Sequence, residues 1–198
     1  MANADAFKII SVTGAHSSVG KTTLCAVLLE YLKGFGGVKF TKTALYTSVT
    51  EDEKILGETG KDTAVYLAAG AEKVVWIQSP GGAELRDALN IALSKMAGLK
   101  GVVVEGNSPL KFLRPDLVIF IIRQDGRIKP SAVETGKQAD IIIINSGEKG
   151  EYPSSLTRIL RENTKVFYVD VVGRKGEIDK FLAYVKEYIN KERLNLAN

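Results

Sequence analysis

Apolar positions along this chain fall into short runs rich in valine and isoleucine, separated by stretches in which they recur every three or four residues. The runs at 7–13, 38–46, 73–77, 101–105, 116–122, 140–145 and 166–171 predict strands. Several lack the in–out alternation of a sheet with one wet face. A strand reads that way when helices cover both faces of its sheet, so the strands near 7, 101, 117 and 140 are expected at the centre. Helical spacing predicts helices over 21–33, 61–69, 83–96, 131–137, 155–162 and 177–191. In the last of these, Ile178, Phe181, Leu182, Val185, Tyr188 and Ile189 form one core-facing stripe. Gly34, Gly70 and Gly98 stand where helices should stop, Pro130 opens one, and Ser154 or Ser155 caps another. Strands alternating with helices define an α/β protein of three layers, a mainly parallel sheet flanked by helices. The polar stretch 47–59 predicts a loop. With only Ile55 and Leu56 as sizeable apolar anchors, the segment 47–62 is expected either to be mobile alone and close as a lid over the carboxyl edge of the sheet when nucleotide and a second ligand or partner are bound, or to be a passive surface loop. The tail after Arg193 is expected to fray.

Length and composition narrow the picture. With 198 residues, 45% hydrophobic and 25% charged, residues 1–198 predict one domain able to bury its own core. The single cysteine, Cys25, falls within the first helix and reads as a small buried residue. One cysteine, and a start (MANADAFKII) without the basic stretch and apolar run of a secretory signal, point to a cytoplasmic protein. No apolar run approaches the roughly 20 residues needed to span a bilayer, so no membrane association is expected. The net charge is +4, but the basic residues are scattered and no aromatics interleave with them, which argues against nucleic acid as a partner. The lone histidine, His16, excludes a His-rich metal site.

The segment KIISVTGAHSSVGKTTLCAVLLEYL carries the chemistry, because an apolar strand runs into a small polar loop and out into a helix. Against the phosphate-loop pattern G-x-x-x-x-G-K-[ST], Ala15 takes the first position, one place after Gly14, and Gly20, Lys21 and Thr22 take the rest. That first position needs a small residue more than a particular dihedral. Gly20 allows close approach of backbone to phosphate, and the amides from Ser17 through Ser18, Val19, Gly20 and Lys21 to Thr22 and Thr23 crowd a helix N-terminus that favours an anion. Lys21 is placed to reach the β- and γ-phosphates of ATP or GTP, and the Thr22 hydroxyl to ligate Mg²⁺. Nothing in the loop chooses between the two nucleotides. His16 either touches a phosphate or acidic substrate, or faces solvent.

Mg²⁺ in such a site needs a second acidic group at the end of a neighbouring strand, and Glu105 in KGVVVEGNSP, followed by Gly106, fits that place. Asp116 and Asp140 begin their strands and belong at the opposite edge. Asn145, at the end of ADIIIIN, stands where it contacts the base or merely forms a turn. The guanine-reading pattern N-K-x-D is absent, since Ser146, Gly147 and Glu148 follow it. Arg123, Gln124 and Asp125 follow the strand before it and reach the same rim, where an arginine either stabilises phosphate charge or is simply exposed.

A strand ending in Lys42, the polar loop, GKDTAVYLAAGAEKV and VVVEG, in that order after the phosphate loop, resemble the molybdopterin-guanine dinucleotide biosynthesis protein B family over about residues 7–122. Members of that family are GTP-binding accessories to the enzyme that attaches a guanine nucleotide to molybdopterin, so the resemblance implies a role in molybdenum cofactor biosynthesis beside a partner enzyme. It also implies that Lys61, Asp62 and Thr63 lie near the nucleotide or the partner's ligand. Read on their own, these residues start a helix, with Asp62 favourable in its first turn. The family's K-H segment is replaced by KTALYT, and no histidine follows His16. The loop GAHSSVGKTT is also similar to those of dethiobiotin synthetase and the cobyrinic acid amidases, in which ATP phosphorylates a carboxylate. Two readings follow: an accessory that holds nucleotide and docks to a partner, or an enzyme in which Lys21, Mg²⁺ and Lys42 activate a small-molecule acceptor. Many related proteins pair around a shared ligand, and a homodimer is the matching expectation.

Overall fold

The computed structural model describes residues 7–195. Its strands are β1 (Lys8–Gly14), β2 (Phe35–Lys42), β3 (Ser48–Thr50), β4 (Val74–Ser79), β5 (Gly101–Glu105), β6 (Leu117–Arg123), β7 (Ile141–Asn145), β8 (Lys165–Asp170) and β9 (Lys175–Gly176). Its helices are α1 (Lys21–Tyr31), α2 (Glu53–Leu56), α3 (Asp62–Ala68), α4 (Gly82–Lys95), α5 (Pro130–Gly136) and α6 (Ile178–Asn195). The strands form one sheet in the order β3-β4-β2-β5-β1-β6-β7-β8-β9. All neighbours from β4 to β8 pair in parallel, and only the outermost strands, β3 and β9, run antiparallel to theirs. The mainly parallel α/β class expected from the strand–helix alternation is what the chain adopts.

Because the sheet is covered on both faces, its central strands divide their side chains between two cores. In β5, Val102 and Val104 join α4 residues Leu85, Ala88, Leu89 and Ala92, while Val103 joins the larger cluster built on α1 and α6. The period of two places Glu105 on the Val103 side, facing α1. The chain leaves β1 towards β2 on one side, returns to β5, then crosses to β6 on the other. Ligands of open α/β sheets bind in the crevice that such a reversal leaves at the carboxyl ends of the strands.

Three expectations need correction. The second strand begins earlier, at Phe35, and ends at Lys42 instead of running on to 46. Gly36 and Gly37 make that start possible: a Cβ would lie 2.5 Å from Met96 Sδ at the first and 2.9 Å from the Tyr66 ring at the second. The helix expected over 155–162 is one short 3-10 turn, Ser154–Arg158, whose buried Leu156 and the following buried Ile159 are three apart, the spacing of that tighter turn. The polar stretch 47–59 is not a bare loop. Ser48–Thr50 pair with β4, Asp52 caps α2 by accepting from the Lys54 amide at 2.9 Å, and Leu56 is buried, its carbonyl accepting from Thr63 Oγ1 at 2.7 Å. As for the tail after Arg193, α6 continues to Asn195 and 196–198 lie outside the described residues. Among the described residues no helix is long and apolar enough to cross a membrane.

Candidate functional site

The loop from Gly14 to Gly20 closes over the carboxyl end of β1, between β5 and β6. Buried Ala15 is clasped on both sides: its amide donates to the Ile121 carbonyl at 2.9 Å, and its carbonyl accepts from the Lys129 amide at 3.0 Å. A side chain at Gly14 would strike Val19 Cγ2 at 2.8 Å, so the first glycine lets the loop fold back on itself. Asn107, just past β5, donates to the Gly14 carbonyl and accepts from its amide, both at 2.9 Å. Ser17 and Ser18 form the exposed crest, Val19 is buried beneath it, and Arg123 donates to the Ser18 carbonyl at 2.8 Å. Gly20, at φ 105°, turns the chain into α1.

That turn leaves the start of α1 uncapped. No side chain caps Gly20 and no acidic residue sits in the first turn, while the helix amides there lack intrahelical acceptors. Thr22 and Thr23 lie in this turn. Lys21 arches back over the loop to donate to the His16 carbonyl at 3.0 Å. Burial draws its amine below the ordinary lysine value; the Glu105 carboxylate opposes this, and Lys39 and Lys129 add to it. A half-buried ammonium beside an uncapped helix start is an electrostatic arrangement that an anion relieves. His16 turns its Nδ1 to the Ser17 carbonyl at 2.6 Å.

Glu105 is the hub of the site. Its Oε2 lies 3.1 Å from Thr22 Oγ1, which donates to it, and accepts from the Tyr66 hydroxyl; its Oε1 accepts from Lys39 Nζ at 2.7 Å. Lys39 also reaches Asp62 Oδ2 at 2.6 Å and Thr22 Oγ1 at 3.3 Å. Burial pulls the Lys39 amine down, but Glu105 and Asp62 more than offset it and hold the amine above the ordinary lysine value. The hydroxyl of Thr22 and the carboxylate of Glu105 are hard oxygen donors of the kind Mg²⁺ takes, and the ammonium held between them marks a place where positive charge is already accommodated. The residues present therefore fit the metal.

The structure thus unites Lys21, Thr22, Glu105 and Asp62. It does not bring Lys42 to them. Lys42 lies three residues beyond Lys39 in β2, an odd step that puts it on the opposite sheet face, exposed at the strand end. Lys39 takes the place expected of Lys42. The available signal was a lysine set between Val38 and Phe40 in a strand whose neighbours are buried, where an ammonium must find a partner. Asn145 directs its amide inward, donating to the Val19 carbonyl at 2.9 Å and accepting from the Val171 amide at 3.2 Å, which uses one of its two N–H donors and one of its two acceptor positions. As expected, Asp116 and Asp140 serve the far edge: Asp116 accepts from the Ile9 amide at 2.7 Å and Asp140 from the Val118 amide at 2.9 Å. Thr63 faces α2, and Lys61 lies 5.0 Å over the Trp76 ring. One cavity flanks the loop and a second lies beside Lys39 and Asp62. The first, of about 520 Å³, is lined by His16, Ser17, Arg127 and Lys129, and the second, of about 240 Å³, by Lys39, Thr41, Lys61, Asp62 and Trp76.

No protein-family model and no curated protein matches this chain. Solved structures do. HypB from Helicobacter pylori in complex with nickel superposes with a TM-score of 0.61 at 13% identity, covering 95% of this chain and 89% of that one. The hydrogenase maturation factor HypB from Archaeoglobus fulgidus gives 0.59 at 15%, covering 92% and 90%. LpxK from Aquifex aeolicus in complex with ATP gives 0.53 at 17%, covering 82% of this chain and 54% of that longer one. The chain therefore has a P-loop NTPase fold related to those of HypB and LpxK.

Proposed function

We propose that this chain binds a nucleoside triphosphate, ATP or GTP, with Mg²⁺ at the loop of residues 14–23. The observation that carries this reading is the uncapped start of α1 with Lys21 folded across it and the Thr22 hydroxyl bonded to Glu105. The helix amides and Lys21 would receive the phosphates, and Thr22 and Glu105 would hold the metal. When bound, Mg²⁺ supplies positive charge against the phosphate oxygens. Calorimetric titration of the wild type and Lys21→Ala with ATP and with GTP, each with Mg²⁺, tests it. Charge-assisted hydrogen bonds of about 1.5–3 kcal/mol predict a roughly 10- to 100-fold loss of affinity in a variant that stays folded. Equal affinity in the two proteins would remove Lys21 from the site.

At finer grain we read the chain as a nucleotide-holding accessory that works beside a partner enzyme, as the likeness of residues 7–122 to the molybdopterin-guanine dinucleotide family suggests. A homodimer is the oligomer that goes with this reading, and native mass spectrometry of the purified protein would count subunits and bound nucleotide together. One observation favours a second reading, phosphoryl transfer to a small acceptor. The 240 Å³ cavity opens beside Lys39 and Asp62, next to the Glu105 hub, and is large enough for a small molecule. ATP labelled at the γ-phosphate separates the two: label carried to an organic acceptor supports transfer, and label found only as nucleotide or inorganic phosphate supports the accessory.

A further inference from the structure

Lys39 gathers oxygens from three separate parts of the chain. Its Nζ lies 2.7 Å from Glu105 Oε1 at the end of β5, 2.6 Å from Asp62 Oδ2 at the start of α3, and 3.3 Å from Thr22 Oγ1 at the start of α1. Thr22 and Glu105 are the two residues read above as metal-holding. An ammonium and a divalent cation cannot share them: like charges about 3 Å apart repel strongly in a buried setting, and Mg²⁺ draws its oxygens in to about 2.1 Å. The two carboxylate partners of Lys39 differ in exposure. The Glu105 side chain is 4% exposed, whereas that of Asp62 is 52% exposed and lines, with Trp76, the 240 Å³ cavity. A lysine has a flexible four-carbon stem, so its ammonium can leave Glu105 and keep Asp62 without any movement of β2.

We propose that Lys39 is a displaceable internal counter-ion: it holds Thr22 and Glu105 in metal-ready positions, and gives up that place to the divalent cation by turning towards Asp62 and the Trp76 cavity. The inference rests on the reading of Thr22 and Glu105 as metal-holding. Two consequences follow. Metal alone competes poorly, because it must expel a paired ammonium; metal arriving with a triphosphate brings further oxygen ligands and prevails. The ammonium already stands at the wall of that cavity, so metal arrival frees it from Glu105 and leaves it paired with Asp62 there.

The test uses Mn²⁺ alone, followed by electron paramagnetic resonance, on the wild type, Lys39→Gln and Lys39→Met. Removing the competing ammonium should tighten Mn²⁺ binding by about tenfold or more, within the usual range of coupling between linked sites. The gain should vanish in the double variant Lys39→Gln, Glu105→Gln. Equal or weaker Mn²⁺ binding in the single variants would overturn the proposal and leave Lys39 as a fixed structural ion pair. Should both variants fail to fold, refolding in millimolar Mn²⁺ decides: recovery supports the exchange, because metal then replaces the missing charge, and failure with metal present overturns it. Nucleotide is titrated separately. Wild type that binds neither ATP nor GTP, beside variants with tightened Mn²⁺ binding, would reject the nucleotide reading and leave the counter-ion in place.

Discussion

Glu105 influences four ionisable neighbours, Lys21, Cys25, Lys39 and Tyr66, and their shifts differ in sign. Burial pushes the Cys25 thiol well up, and Glu105 adds to it; the Tyr66 hydroxyl is likewise raised by burial and by the charges beside it. A raised folded value gives stability that is complete below the unfolded value and fades as pH climbs towards the folded one. For Cys25 that decline starts near about pH 8.5, for Tyr66 near about 10 and for Lys39 near about 10.4. Lys21, lowered in the fold, works in the reverse sense and gains stability as pH rises towards about 10.4. Total stability therefore mixes opposed slopes, but a difference between two proteins does not. The advantage of wild type over Cys25→Ala should shrink by about 1.4 kcal/mol per pH unit above about pH 8.5, read from urea midpoints across that range. A constant difference would mean that the thiol is not held neutral. At this scale the strand, tight loop and helix of residues 8–31 and the end of β5 at Glu105 were legible in the sequence, because a strand, a small loop and G-K-T-T are local. Lys39 and Asn107 were not, because each earns its role from a partner more than 60 residues away in the chain, Lys39 from Glu105 and Asn107 from Gly14.

Elements were legible where they are long and apolar, and least so where a few contacts decide. The strands at 101 and 141 read correctly because every apolar position is used. The segment 47–59 misled because its polarity is real, and its order comes from pairing with β4 and from one anchor, Leu56, at 1% exposure. Leu56→Ala should cost about 2–5 kcal/mol, the range for deleting a buried leucine. Since Leu56 also presents the carbonyl that Thr63 bonds, the loosening should spread to the start of α3, where Asp62 meets Lys39. Hydrogen exchange in the variant should therefore rise in 48–56 and in 62–66 together. A rise confined to the first stretch would show that α2 and α3 are independent.

At the scale of the whole molecule, both cores share one sheet. Val102 and Val104 belong to one and Val103 to the other, so β5 ties the two together. Calorimetric melting should then give one transition whose calorimetric and van't Hoff enthalpies agree; two resolved transitions would divide the chain into separate folding units. The same sheet ends on both sides in its shortest strands, the three residues of β3 and the two of β9, each running against its neighbour. Without them, the six-residue strands VVWIQS and KVFYVD would lie open along one edge, presenting unpaired amides and carbonyls to any extended segment. A crowded or refolding population would then have two templates per molecule for strand-by-strand growth into fibrils. Five residues, in two brief reversals of direction, cover Trp76–Gln78 of β4 and Val169–Asp170 of β8 and so shorten the edge open to such growth.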